Sequence, residues 1–265
     1  MRRLPIGTVI DNEISGIGYR VKEHLGRGGF GDAYRAVRLS SRGGEAADPV
    51  CLKLSPRADT WHGEAYFAGL LSEVSNVVRM TDAFPTRVRD GRASRMVFAI
   101  EMEYFPDGTI RDACKDGRLP WTEDQVQRRT RMLLKPLSLL HAMGASHRDI
   151  TPGNIFVGNR SVLKLGDFGI TKAGLKPSGV RADLATWAFA PHDMGAWWRP
   201  ADDVYQVGLL MMTLLTGEET TNGIKKPSVN TVTSRDSALR DAIKAAISVK
   251  SRRPQAAGDL AEMLR

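Results

Sequence analysis

Residues 147–154 read His-Arg-Asp-Ile-Thr-Pro-Gly-Asn, which sets a carboxylate, Asp149, and an amide, Asn154, at a fixed spacing of five. A second acid follows in Asp167-Phe168-Gly169, after the strand-like stretch "SVLKLG". Asn154 and Asp167 on adjoining loops form a pair of oxygen ligands of the kind a hard cation such as Mg²⁺ requires. Upstream, Gly26, Gly28 and Gly31 give the pattern G-x-G-x-x-G. Glycines let a backbone approach phosphate oxygens closely and turn its N–H groups toward the anion. That pattern also fits a dinucleotide fold, but there a helix should follow the third glycine, and "DAYRAVRL" reads here as a strand. Lys53, in "PVCLKLS", is flanked by aliphatic residues, a costly place for an ammonium group unless an anion or carboxylate meets it. An edge-strand lysine pointing to water is the plainer alternative. Glu64 and Glu73 both qualify as its partner; Glu64 is preferred, with Glu73 near the end of the same helix.

These residues need elements to hold them. From about residue 17 to 101 the chain shows short β-branched and aromatic segments, "YRVKEHL", "AYRAVRLS", "PVCLKLS" and "RMVFAIEME". "RVRDGRASR" carries the Asp-Gly pair of a hairpin turn. One helix-like stretch, 61–72, interrupts the strands. From about residue 122 the pattern turns helical. Thr122 and Gln125 form a capping box that opens a long helix toward His141, and Pro136 is expected to kink or locally open it unless packing or irregular geometry absorbs the cost. Further helices are expected at 204–215, 237–249 and 255–264. No repeat or low-complexity linker interrupts them.

Composition permits this reading without suggesting it. At 265 residues the chain can form one large domain or two small lobes, and 42% apolar with 26% charged residues is ordinary for a globular protein. The formal charge of +8 is scattered among acidic residues, which favours a diffuse field attracting small anions and acidic substrates over a nucleic-acid site. No nucleic acid and no membrane are expected as partners. Cys51 and Cys114 give no disulfide framework, which fits a reducing, cytoplasmic setting. The apolar run 207–215 is too short to span a bilayer, and the first sixteen residues lack the apolar core of a signal peptide.

In order and spacing these motifs resemble those of the eukaryotic-like protein kinase family, over about residues 18–265. "GRGGFGDAYRA" and "EYFPDGTIRDA" are similar in style to bacterial Ser/Thr kinases. The resemblance implies one α+β kinase domain over residues 1–265. Its smaller lobe, about 18–104, would be an antiparallel sheet plus one helix, and its larger lobe, 105–265, mainly helical. ATP would lie beneath Gly26, Gly28 and Gly31, with Leu25, Ala33, Cys51 and Phe156 as adenine walls. Met102 would be the gatekeeper, and the backbone of Glu103 and Phe105 would pair with the adenine edge. Lys53, held by Glu64, would grip the α and β phosphates. Asn154 and Asp167 would bind Mg²⁺, with Mn²⁺ as an alternative, and Asp149 would orient the incoming hydroxyl and take its proton. Arg148 would pair with an activation-segment phosphate. Asp203, in "DDVYQVGLL", would accept hydrogen bonds from the catalytic-loop backbone. The implied activity is transfer of the γ-phosphoryl group to Ser/Thr hydroxyls of a protein substrate, including the chain itself.

Three departures bear on that reading. Thr151 stands where Ser/Thr kinases carry a lysine on the γ-phosphate, and it supplies no positive charge; Lys172 and Lys176 are candidate substitutes. His192 replaces the Glu of the Ala-Pro-Glu motif, whose partner would be Arg253, so the segment is expected to be anchored differently or to be more mobile. The polar stretch 218–232 shows no helical periodicity. Thr171, Ser178 and Thr186 are candidate autophosphorylation sites or plain loop residues. Two other functions stay open: a scaffold that binds nucleotide with little transfer, and a small-molecule phosphotransferase.

Overall fold

The β-branched and aromatic segments of the N-terminal third pair into one antiparallel sheet. In the computed structural model its strands are β1 (Val9–Asn12), β2 (Ile17–Gly28), β3 (Gly31–Leu39), β4 (Glu45–Ser55), β5 (Met80–Asp90) and β6 (Ala93–Glu103), in the order β1-β2-β3-β4-β6-β5. The structure describes residues 2–29, 31–40, 43–90, 93–173, 187–195, 197–222, 229–232 and 237–265. The chain divides into two compact units: Met1–Glu73 with Val78–Pro106, and Val74–Val77 with Asp107–Arg265.

In the first unit the two-residue alternation of the strands sends Tyr19, Val21, Tyr34, Ala36, Leu52, Leu54, Phe84, Val97 and Ala99 into one core. Strand β1 was not evident in the sequence. It pairs with β2, and side chains tie it to the opposite edge: Asn12 Nδ2 donates to Asp82 Oδ2 at 2.8 Å, and Thr86 Oγ1 donates to the Asp11 carbonyl at 2.8 Å. Neither edge is therefore left as a bare template for pairing. On the other face, register aligns Ala33 with Lys53 and Ile100, and Arg35 with Cys51 and Met102. Helix α1 (Ala58–Leu70) packs there, and Trp61 Nε1 donates to the Ala99 carbonyl at 2.9 Å. It starts three residues before the expected Trp61, because Ser55 Oγ accepts the Arg57 N–H and turns the chain at once.

The three glycines of the motif differ. A methyl group on Gly31 would lie 2.1 Å from the Leu54 carbonyl oxygen, whereas one on Gly26 or Gly28 would have nothing within 4 Å. Gly31 is thus demanded by the neighbouring strand, and the other two leave room for something to approach.

The second unit is mainly helical, with α2 (Ile110–Lys115), α3 (Glu123–Ala142), α4 (Pro200–Thr216), α5 (Val229–Val232), α6 (Ser237–Ala246) and α7 (Ala257–Met263). Short strands β7 (Ala145–Ser146), β8 (Ile155–Gly158), β9 (Val162–Leu165) and β10 (Lys172–Ala173) pair as β7 with β10 and β8 with β9. The Thr122–Gln125 capping box opens α3 as expected. The helix then runs through Pro136 as one element. Leu133, Leu134, Leu137 and Leu140 are buried around the proline, and their packing offsets the missing hydrogen bond. Gly208, which breaks the apolar run in sequence, sits where α4 meets the end of α6; a methyl there would lie 2.7 Å from Ile247 Cγ2. The last four residues of the polar stretch 218–232 form the single-turn helix α5. Among the described residues, no helix is long and apolar enough to cross a membrane.

Gly31→Ala is expected to cost on the order of 2–3 kcal/mol, since backbone must shift to admit the methyl. Gly28→Ala should leave stability nearly unchanged. Urea unfolding of the two variants measures the difference.

Candidate active site

In the first unit, the β4 register turns Lys53 toward α1, and Glu64 on that helix meets it: Nζ to Oε1 is 2.6 Å, with both side chains largely buried. Glu64, not Glu73, is therefore the partner. A buried ammonium would be costly alone, and the carboxylate offsets that cost. Burial pushes the neighbouring Cys51 thiol up to about 12, so it is a small apolar group at neutral pH. Leu25 lies at a bulge between β2 and β3 and is exposed, while Phe105 is buried. The Glu103 N–H donates to the Arg79 carbonyl at 3.0 Å, so what Glu103 can offer a base is its carbonyl oxygen.

In the second unit, β7 and β8 flank the loop that carries the His147–Asn154 run. Two side chains one turn apart on α4 hold its backbone. Asp203 Oδ2 accepts the His147 N–H at 2.7 Å, and Oδ1 accepts the Arg148 N–H at 2.8 Å. Gln206 Oε1 accepts the Ile150 N–H at 2.8 Å, and its Nε2 donates to the Arg148 carbonyl at 3.2 Å. Trp198 Nε1 and His141 Nε2 complete the shell of Asp203, at 2.8 and 2.9 Å. His141 Nδ1 accepts the Ala257 N–H, which assigns its proton to Nε2. Burial works against the Asp203 charge, but its donors outweigh burial and hold its pKa below the ordinary carboxylate value. Gln206 escaped the sequence reading because a glutamine inside an apolar helix carries no motif; its only signal is the three-residue spacing from Asp203.

With the loop fixed, its functional groups converge. Asn154 Nδ2 donates to the Asp149 side chain at 2.8 Å and to its carbonyl at 2.9 Å, which leaves Oδ1 as the oxygen Asn154 can offer a cation. The Gly166 N–H donates to the Asn154 carbonyl at 3.0 Å, so the strand leading to Asp167 is bonded to the loop. Asp167 itself has φ of 60°, a left-handed conformation costly for a non-glycine residue, and its Oδ1 accepts the Gly169 N–H at 3.2 Å. A carboxylate and an amide oxygen on two bonded loops suit Mg²⁺, which takes few protein ligands and completes its shell with phosphate and water. His147 is fully buried, packed edge-on against Phe168 at 5.1 Å, and burial pushes its pKa down, so it is neutral.

The departures resolve unevenly. Thr151 is buried, its N–H donates to the Asp149 carbonyl at 3.0 Å, and it brings no charge to the loop. The backbone of Lys172 pairs with Ser146, while Lys176, Ser178 and Thr186 lie outside the described residues. Thr171 is only 5% exposed and its hydroxyl donates to the His147 carbonyl, so this arrangement gives it no access to a phosphoryl donor. Arg253 finds its acid one residue beyond the expected place. Its Nη2 meets Asp193 Oδ1 at 2.8 Å and its Nη1 meets Asp202 Oδ1 at 3.1 Å, while the guanidinium lies over the Tyr205 ring. His192 instead donates through Nε2 to the Asn222 carbonyl. The ion pair is preserved by a shift of one position. The signal was the His192-Asp193 dipeptide.

This arrangement defines a protein kinase domain. The family model described as "Protein kinase domain" matches residues 19–264, and the chain belongs to that family. It is 30% identical over 206 residues to the serine/threonine-protein kinase PknL of Mycobacterium bovis, covering 75% of this chain and 49% of that protein. It is 27% identical over 229 residues to the probable serine/threonine-protein kinase PknB of Bifidobacterium longum, covering 80% and 32%. A plant relative, mitogen-activated protein kinase kinase kinase ANP1 of Arabidopsis thaliana, is 28% identical over 214 residues, covering 76% and 31%. The chain thus spans about a third to a half of the length of these relatives.

Two measurements follow. Asp193→Ala should lower stability by about 2 kcal/mol by stripping a buried guanidinium of one partner, while His192→Ala stays within about 0.5 kcal/mol. Stability should also decline as pH falls below 6.5, since unfolded His147 takes up a proton that the buried ring refuses. A second decline begins below 3.8, where unfolding protonates Asp203, whose folded pKa is lower. Urea midpoints against pH should show both, and His147→Asn should flatten the first.

Proposed function

We propose that this chain is an ATP-dependent protein kinase that transfers the γ-phosphoryl group to Ser or Thr hydroxyls of proteins. The observation that carries the reading is the cluster in which Asn154 bonds Asp149 and Gly166 bonds Asn154. It supports two roles. Asp149 receives the acceptor hydroxyl and takes its proton. Asn154 Oδ1 and the Asp167 carboxylate are the oxygens that would hold Mg²⁺, which when bound neutralises phosphate charge. In the first unit, Lys53, ion-paired with Glu64, is the group assigned to the α and β phosphates. Leu25, Ala33, Cys51, Met102 and Phe156 supply apolar surface for the adenine, Gly26 and Gly28 leave space for phosphates, and Glu103 and Phe105 offer backbone groups to the base. Catalysis in such a site comes from positioning and charge neutralisation, and proton removal by Asp149 adds about 10²–10⁴-fold.

A scaffold that binds nucleotide without transfer is the second reading, and Thr151 is the observation that favours it. The loop lacks the lysine that would meet the developing charge on the γ-phosphate, a loss worth a few kcal/mol of barrier.

The chain incubated with γ-labelled ATP and Mg²⁺ should label itself or a generic protein substrate. Asp149→Asn should reduce the rate at least about a hundredfold, and Thr151→Lys should raise it. ATP binding without transfer to any protein would favour the scaffold, and transfer confined to a metabolite would favour a small-molecule phosphotransferase.

A further inference from the structure

A guanidinium is built onto the rim of the loop that carries Asp149 and Asn154. Helix α2 begins with a capping box, in which Thr109 and Asp112 satisfy each other's backbone N–H groups. That start is stitched to the loop and to β8: the Arg111 N–H donates to the Pro152 carbonyl at 3.0 Å, and the Val157 N–H donates to the Gly108 carbonyl at 2.9 Å. The Arg111 side chain then lies against Gly153. A methyl group on Gly153 would fall 2.6 Å from Arg111 Nη1 and 3.0 Å from its Cζ. The volume a side chain at position 153 would occupy is therefore taken by the guanidinium, and only glycine permits this approach.

Two features make that cation usable. Glu219 accepts the Arg111 Nε–H, which fixes the plane of the group through one bond at its inner edge. The side chain stays 40% exposed, so the Nη edge can meet solvent or a ligand. A carboxylate is the group that such a planar fork binds in two parallel hydrogen bonds. The distance to the acceptor position is short. Asn154, the residue after Gly153, touches the Asp149 carboxylate, and an extended peptide advances about 3.3 Å per residue. A cation at Gly153 is therefore within a few residues' reach of a hydroxyl held at Asp149.

We propose that Arg111 is a specificity-determining residue that selects protein substrates bearing an Asp or Glu two or three residues from the acceptor hydroxyl. The inference rests on the protein kinase reading above. It also gives a use to the formal charge of +8, which draws acidic segments toward the chain before Arg111 selects among them.

The test uses the full chain and three serine peptides, identical except for Glu, Gln or Lys at the positions two and three residues on either side of the acceptor. The wild type should show a KM for the Glu peptide about tenfold below that for the Gln peptide, the size of one charge-assisted contact. Arg111→Gln should erase that difference by raising KM on the Glu peptide, with kcat on the Gln peptide kept within about twofold. Arg111→Glu should turn the preference toward the Lys peptide. A merely structural role would lower kcat on all three peptides alike and would overturn the proposal. So would equal KM values in the wild type, or a Glu preference that survives Arg111→Gln. A wild type that labels no peptide and no protein overturns the kinase reading itself, an outcome distinct from transfer without preference.

Discussion

One buried carboxylate organises the second unit. Asp203 is fully inaccessible, and an ionised group so placed would cost several kcal/mol without partners. It receives four donors: two backbone N–H groups of the loop, the Trp198 indole and the His141 ring. Because those backbone donors must point inward, the chain turns sharply at Arg148, whose φ of 75° is costly for a residue with a side chain. The strain persists because Asp203 and Gln206 over-determine the turn from one face of α4. The spacing of Asp149 and Asn154 then becomes a bonded pair, and Asp167 is brought alongside through Gly166.

The same helix is held at its start by a second charge cluster. Asp202 is wholly buried, and burial, with Asp203 beside it, pushes its pKa up. Arg253 and Lys250 meet it from the far end of the chain, and Arg253 also takes Asp193. One guanidinium thus ties the segment after Phe189 to the N-terminus of α4, and so to the element that holds the loop. In the first unit the Lys53–Glu64 pair has its own support, from strand register and the seat of α1 on β6.

Much of this was legible because the chemistry demands particular residue types. A carboxylate, an amide and a second carboxylate cannot be exchanged for neighbours without loss of oxygen ligands, so Asp149, Asn154 and Asp167 stand out by type and spacing. Strand and helix patterns were readable for the same reason, since burial on one face imposes a period. What escaped depends on relations between distant segments. Asp193 was missed because the expected partner of Arg253 was assigned to position 192, and a one-residue shift leaves the ion pair geometrically intact. Strand β1 is four residues long and owes its place to Asn12 and Thr86 bonds that no local pattern announces. At Pro136 the sequence leaves two outcomes open, a local kink or a cost absorbed by packing, and the buried leucines that decide between them are brought together only by the fold.

The account turns on α4 holding the loop, and amide hydrogen exchange tests that directly. Asp203→Asn keeps the size of the side chain but replaces one acceptor oxygen with a donor. In that variant, exchange over residues 145–155 should accelerate at least about tenfold, while β2 to β6 keep their wild-type protection. Unchanged protection of residues 145–155 would contradict the claim that Asp203 fixes the loop.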